Sequence, residues 1–171
     1  SVTYSNGTSL ASITFDDSTT SMTGIGSFGS AAAFQRAAIQ FALDHVNSGG
    51  APGGTVMLSA GTFSVIAGSE ASAGCLVIRS DTVLAGAGAG TRIELVDNGG
   101  HDVTGILRTA NGSPLADGSI SSTSNVTVRD LVIDGNRDLL GDGRKVDGFY
   151  CGPDPQTSVN HDSNITIENV V

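Results

Sequence analysis

The chain has 171 residues, 39% of them hydrophobic but only 5% aromatic, with 24 Gly and no Trp. Such a chain is one domain or part of a larger one, and its core has to be drawn mainly from Val, Ile, Leu and Ala. Eight Lys and Arg against 17 Asp and Glu leave a net charge of −9; this excludes a general nucleic-acid binder, which needs a basic footprint, and no run is long and apolar enough for a membrane span.

Residues 1–29 form a Ser/Thr/Gly-rich segment with one short strand-like stretch around SITF. The stretch 30–50, SAAAFQRAAIQFALDHVNSGG, predicts a helix. Ser30 suits its N-cap, Phe34, Ala38, Phe41 and Val46 with Ile39 and Leu43 make one apolar face, and Asn47, Ser48 and Gly49 stop it. From residue 54 the period changes to two. Short apolar runs recur at 55–58, 63–66, 75–78, 82–85, 92–96, 105–107, 126–134 and 165–171, with turn residues between them. SNVTVRDLVID, from Ser124, and SNITIENVV, from Ser163, are self-similar, and such a strand-and-turn repeat is the sign of a solenoid. The expected fold is all-β, a parallel β-helix over 54–171 with the helix covering its first strand edges. A doubly wound α/β sheet is disfavoured, because no helices alternate with these strands. A β-sandwich, the main rival, gives no reason for a single leading helix. GAGAGT (86–91) lacks the Lys of a phosphate loop and precedes a strand, so it reads as closely packed corners.

Cys75 opens an apolar run and reads as a small buried side chain. Cys151 lies among turn residues, and nothing in the spacing demands that the two pair. The chain opens at Ser1 rather than Met, which suggests processing or trimming. Of four N-x-S/T triplets, those at Asn125 and Asn164 read as corners rather than glycan sites, and the others begin at Asn6 and Asn111.

GGTVMLSAGTFSV, CLVIRSDTVLAGAGAGT, GILRTANG and LVIDGNRD with KVDGF after it resemble the N-terminal half of the catalytic module of the secreted bacterial mannuronan C5-epimerases. The resemblance spans most of residues 30–170. It implies a right-handed parallel β-helix of the pectate-lyase-like superfamily, a secreted protein, and an anionic polysaccharide, an alginate-like polyuronate, as partner. Those enzymes invert C5 of mannuronate: a carboxylate is neutralised, a base removes the C5 proton and an acid returns one from the other face. In the family a Tyr and the His of an Asp-Pro-His-Glu motif do this. The motif is absent here, and His45, His101 and His161 match none of it, so no catalytic residue is assigned. Tyr150 falls where the family usually has Phe and is not promoted to base.

The resemblance carries over four substrate-binding residues: Arg108, Lys145, Asp147 and Phe149, the last standing where Trp is common and suited to stacking on a sugar. Asp102 stands where the family often has Lys, and an anion there should weaken polyanion binding or change the substrate. Three of the eight cationic side chains, Arg137, Arg144 and Lys145, fall within 134–149, with Arg129 just upstream. Lys145 is read as a carboxylate ligand, whereas Arg137 is read as a solvated partner of Asp134 or Asp138, and Arg144 of Asp142. The same loop has Asp134, Asn136 and Asp138 at the first, third and fifth positions of an EF-hand. Leu139 and Lys145 replace its Gly and Glu, so no metal ligands are assigned, and calcium stays an open candidate.

The chain breaks off in mid-coil at ENVV. An end of that kind calls for further polypeptide or for head-to-tail self-association. Two classes of function follow: part of an alginate epimerase or related lyase, inactive alone, or a structural, filament-forming β-helix without catalysis.

Overall fold

The structure is a computed structural model that describes residues 1–6, 10–47, 53–69, 74–110, 122–137, 143–151 and 162–171. Thirteen strands and one α-helix are assigned among them. The helix α1, Ala31–His45, begins as expected: the Ser30 Oγ accepts the Ala33 N–H at 3.2 Å. Phe34, Ala38, Ile39, Ala42, Leu43 and Val46 are buried.

The remaining core is strands. β5 (Gly54–Leu58), β8 (Thr82–Ala85), the first part of β11 (Ser124–Asp134) and β13 (Ser163–Val170) form one parallel ladder. β6 (Gly61–Ile66), β9 (Thr91–Asp97) and the last three residues of β11 form a second. β7 (Leu76–Ile78), β10 (Leu107–Thr109) and β12 (Phe149–Tyr150) form a third. The chain visits the three ladders in turn, one strand on each, and then returns to the first. The strand period of two then stacks like positions on like. Val56, Leu84 and Val128 make one inner column, in register with the exposed Ile167, Phe63, Ile93 and Ile133 a second, and Leu76, Leu107 and Phe149 a third.

Corners are fixed by short polar side chains that tolerate the left-handed region. Asp81, Asn125 and Asn164 have φ of 59°, 57° and 52°. Their side chains form a ladder of their own: Asn125 Nδ2 donates to Asp81 Oδ1 at 2.8 Å, and Asn164 Nδ2 donates to Asn125 Oδ1 at 2.7 Å. Asp130 and Asn169 repeat the device at the next corner, with a 3.0 Å bond. The Gly-rich stretch lies beside that corner, where a Cβ on Gly86 would stand 2.4 Å from the Asp130 carbonyl oxygen.

The strand edges facing α1 are occupied. β1 (Val2–Ser5) pairs antiparallel with β5, and β2 (Leu10–Ile13) with β1. Gln40 acts as a surrogate peptide: its Oε1 accepts the Val77 N–H at 2.8 Å, and its Nε2 donates to the Val77 carbonyl at 3.1 Å. Gln35 accepts the Ser64 N–H at 2.8 Å, and Arg36 Nε donates to the Cys75 carbonyl at 2.7 Å. The sparse aromatics gather here too. Phe34 meets Phe15 and Phe28 edge-on at 5.6 and 6.1 Å, and Phe15 meets Phe63 at 6.0 Å. A two-residue hairpin pair, β3 (Ser21–Met22) and β4 (Gly26–Ser27), completes the N-terminal segment.

Cys75 is buried and Cys151 exposed, and both are free. Burial pushes the Cys75 thiol up to about 12. Among the described residues, no helix is long and apolar enough to cross a membrane.

Candidate functional site

The third ladder carries the candidate site. With Leu76, Leu107 and Phe149 turned to the core, the register leaves Val77, Arg108 and Tyr150 side by side in the alternate row. Arg108 is 7% exposed, and its Nε donates to the Thr109 carbonyl at 3.2 Å. Two glycines make room for it. A Cβ on Gly74 (φ +63°) would stand 3.0 Å from Arg108 Cδ. On Gly105 (φ +85°) it would stand 2.6 Å from the Leu107 carbonyl oxygen, 2.9 Å from Tyr150 Cβ and 3.2 Å from Arg108 Cβ. Asp162 braces the row from behind: it accepts from Thr109 Oγ1 at 2.5 Å and from the Thr123 N–H at 2.9 Å.

The turns leading into β10 and β12 also run in parallel, with Val103 bridged to Val146. The Val103 N–H donates to the Lys145 carbonyl at 2.8 Å, and Asp102 Oδ1 accepts the Lys145 N–H at 3.0 Å. Asp102 therefore has a job the sequence did not suggest: one oxygen of its carboxylate holds the neighbouring turn. Lys145 Nζ lies 3.1 Å from Asp147 Oδ2, with the lysine side chain 71% exposed and the aspartate 29%. His101 sits between turns, its Nδ1 2.8 Å from the Asp102 carbonyl and its Nε2 3.2 Å from the Gly68 carbonyl.

Arg108, Lys145 and Asp147 thus lie on the β10–β12 side of the molecule. Phe149 is on the same strand as Tyr150 but packs against the core in line with Leu107, which turns its ring away from the row that the sequence reading expected it to join. The residue in that row is Tyr150. The signal was in the sequence: CLV, ILR and GFY occupy the same three positions on successive rungs, so Tyr150 takes the place of Arg108. Asp134 also departs from expectation. Its partner is Arg92, and it accepts the Asn136 N–H at 2.8 Å, so it is not held by Arg137. Arg129 pairs with Asp130 at 2.6 Å. Arg137 and Arg144 are exposed, and their other expected partners, Asp138 and Asp142, lie outside the described residues. So does the middle of the calcium-like loop, residues 138–142. Among the described residues, no group of three or more His, Cys, Asp and Glu is placed to hold a metal.

The arrangement suits an anionic, hydroxyl-rich ligand: a fixed guanidinium, an exposed ammonium with a carboxylate beside it, and an aromatic hydroxyl. A separate cleft of about 320 Å³ beside α1, lined by Phe15, Gln35, Thr62 and Phe63 among others, has Asp17 as its one charged side chain, opposed by the Ser1 ammonium, and offers no cationic side chain to a polyanion.

No protein-family model matches the chain. It is 42% identical over 146 residues to the mannuronan C5-epimerase AlgE5 of Azotobacter vinelandii, covering 85% of this chain and 13% of that protein. It is 45% identical over 134 residues to alginate lyase 7 of the same organism, covering 78% of this chain and 14% of that one. Among solved structures, the A-module of the A. vinelandii mannuronan C5-epimerase AlgE4 superposes with a TM-score of 0.65 at 42% identity, over 79% of this chain and 33% of the module. The chain therefore spans about a third of the solved module and a much smaller share of the full-length relatives.

Proposed function

We infer that this chain, which belongs to the mannuronan C5-epimerase family through its homology to the A-modules, is the N-terminal part of a secreted, polyuronate-acting module, a right-handed parallel β-helix with α1 as its cap. Its share of the work is to hold the polymer. Arg108 takes a uronate carboxylate, in the bidentate manner a guanidinium allows. Lys145 adds an exposed positive charge that Asp147 orients. In an acidic protein, this places the attraction at one face while the overall charge discourages unspecific contact with polyanions. The observation that carries the reading is the identity of 42% over most of the chain, combined with a buried arginine and a lysine on one side of the fold.

Epimerisation and β-elimination share the removal of the C5 proton, and the likeness to an alginate lyase keeps the lyase as the second reading. Neither step belongs to this stretch: the sequence has no Asp-Pro-His-Glu motif. Head-to-tail filaments are the weaker alternative, because growth needs a strand-accepting end, and β1, Gln35, Arg36 and Gln40 occupy the edges beside α1, which leaves β2 as the end strand of that sheet. Calcium remains a candidate for the loop after Asp134.

The test is incubation with polymannuronate in deuterated water, alongside direct titration. The chain should bind the polymer and leave C5 unlabelled, with no unsaturated product. Deuterium at C5 or absorbance from a new double bond would overturn the assignment of binding without catalysis.

A further inference from the structure

We propose that the cleft beside α1 is a separate binding site, and that its ligand is an extended, non-acidic peptide segment added as a strand to the open end of the β6 edge. The three ladders begin with β5, β6 and β7, and these first strands are covered unequally. β5 receives a whole strand, β1. β7 receives the amide of Gln40, which bonds both the N–H and the carbonyl of Val77, and the Arg36 guanidinium on the Cys75 carbonyl. β6 receives half an amide: Gln35 Oε1 accepts the Ser64 N–H. Gln35 is 3% exposed, and its Nε2 has no acceptor among the described residues.

Strand alternation fixes where the rest of that edge points. The Ser64 N–H turns away from β9, so Thr62, two residues earlier, turns its N–H and carbonyl the same way, towards the cleft that it lines with Gln35. Ser64 is half-buried beneath Gln35, whereas Thr62 is exposed, and a Cβ on Gly61 would meet nothing within 4 Å. A strand edge offers a donor and an acceptor at main-chain spacing, and an extended peptide is the ligand that returns both. Gln40 already shows an amide seated in this way on the next first strand, and the spare Gln35 Nε2 is a donor for a further peptide carbonyl. Charge sets the rest of the partner. The cleft has Asp17 as its charged side chain, the Ser1 ammonium is engaged by Ser59 Oγ at 2.8 Å, and the chain carries −9 overall. An acidic segment or a second copy of this chain is therefore repelled, and a segment with Lys or Arg to set against Asp17 is favoured.

The probe is a blocked pentapeptide, acetyl-TVKVT-amide, added to the ¹⁵N-labelled chain. The Thr62 amide should exchange freely with solvent in the free chain and be slowed about tenfold or more at saturation. The same peptide with every amide nitrogen methylated should leave it unprotected. Asp17→Asn should weaken binding about two- to fivefold. Thr62→Pro, tolerated where an N–H faces out from a strand edge, should abolish binding at an unchanged melting temperature. A Thr62 amide already slow to exchange in the free chain, equal binding of the methylated peptide, no binding at millimolar peptide, or protection at Leu10–Ile13 on β2 instead would each overturn the proposal. So would a dimer in sedimentation that Thr62→Pro dissolves, which would make a second copy the occupant.

Discussion

The corner at Asp81, Asn125 and Asn164 and the row at Val77, Arg108 and Tyr150 are built on successive rungs of one architecture, by opposite means. At the corner each rung repeats the last: a left-handed polar residue, bonded to the one below through its own side chain. In the row no two residues are alike, and glycines beside them clear space for an arginine and a tyrosine. Repetition makes the corner a source of stability and register. Departure from it marks the face that we propose holds the ligand.

Substitutions at the two places should separate accordingly. The largest effect is expected at the base of the corner. Gly53 has φ of +96°, and a Cβ there would lie 1.9 Å from the Asp81 carbonyl oxygen. Gly53→Ala should cost more than about 3 kcal/mol, enough to unfold a marginal domain. Gly88→Ala, also at positive φ but with nothing within 4 Å, should cost only about 1 kcal/mol, so thermal melts of the pair isolate the close approach from the backbone strain. Next is Asn125→Leu, which removes both ladder bonds and places a γ-branched residue at positive φ; about 2–3 kcal/mol should be lost. Polyuronate affinity measured at a temperature where this variant is folded should match wild type, and a large loss would break the division between the two regions. Lys145→Gln should act the other way, with an unchanged melting temperature and binding weakened by a factor of about two to five, as expected for an exposed charge.

The smallest effect concerns acid. The Asn169 hydrogen bond, and then the Arg129 guanidinium, hold the Asp130 carboxyl below its ordinary 3.8. A carboxyl depressed in the folded state contributes stability above its unfolded value, and that contribution fades as pH falls through the lower, folded value. Asp130→Asn should therefore flatten the part of the acid limb below pH 3.8, with a small loss of stability at neutral pH that disappears in acid. An unaltered acid limb would show that the second corner is held by shape alone.

Much of this was legible in advance. The helix followed from apolar spacing and Ser30, and the long strands from alternation between glycines. The likeness of the Asn125 and Asn164 stretches pointed to stacked corners. Other features were hidden for physical reasons. Gln35, Arg36 and Gln40 fall outside the expected apolar face of the helix, and a side-chain amide standing in for a strand leaves no periodic trace. GIL at 105–107 read as a strand, but Gly105 and Ile106 belong to the turn, and β10 starts at Leu107. The two residues of β12 are too few to show a period, so the inward turn of Phe149 and the outward one of Tyr150 emerged only from the register with β10. β1 hid in a Ser/Thr-rich segment because one of its faces is only half-buried, and of β2 only the end showed, in SITF.

The most direct measurement maps amide chemical shifts of the ¹⁵N-labelled chain during titration with mannuronate oligomers. The account predicts that the affected residues cluster at 102–110 and 145–150, with the corner at Asp81, Asn125 and Asn164 unmoved. Shifts centred on that corner, or on the cleft beside α1, would contradict it.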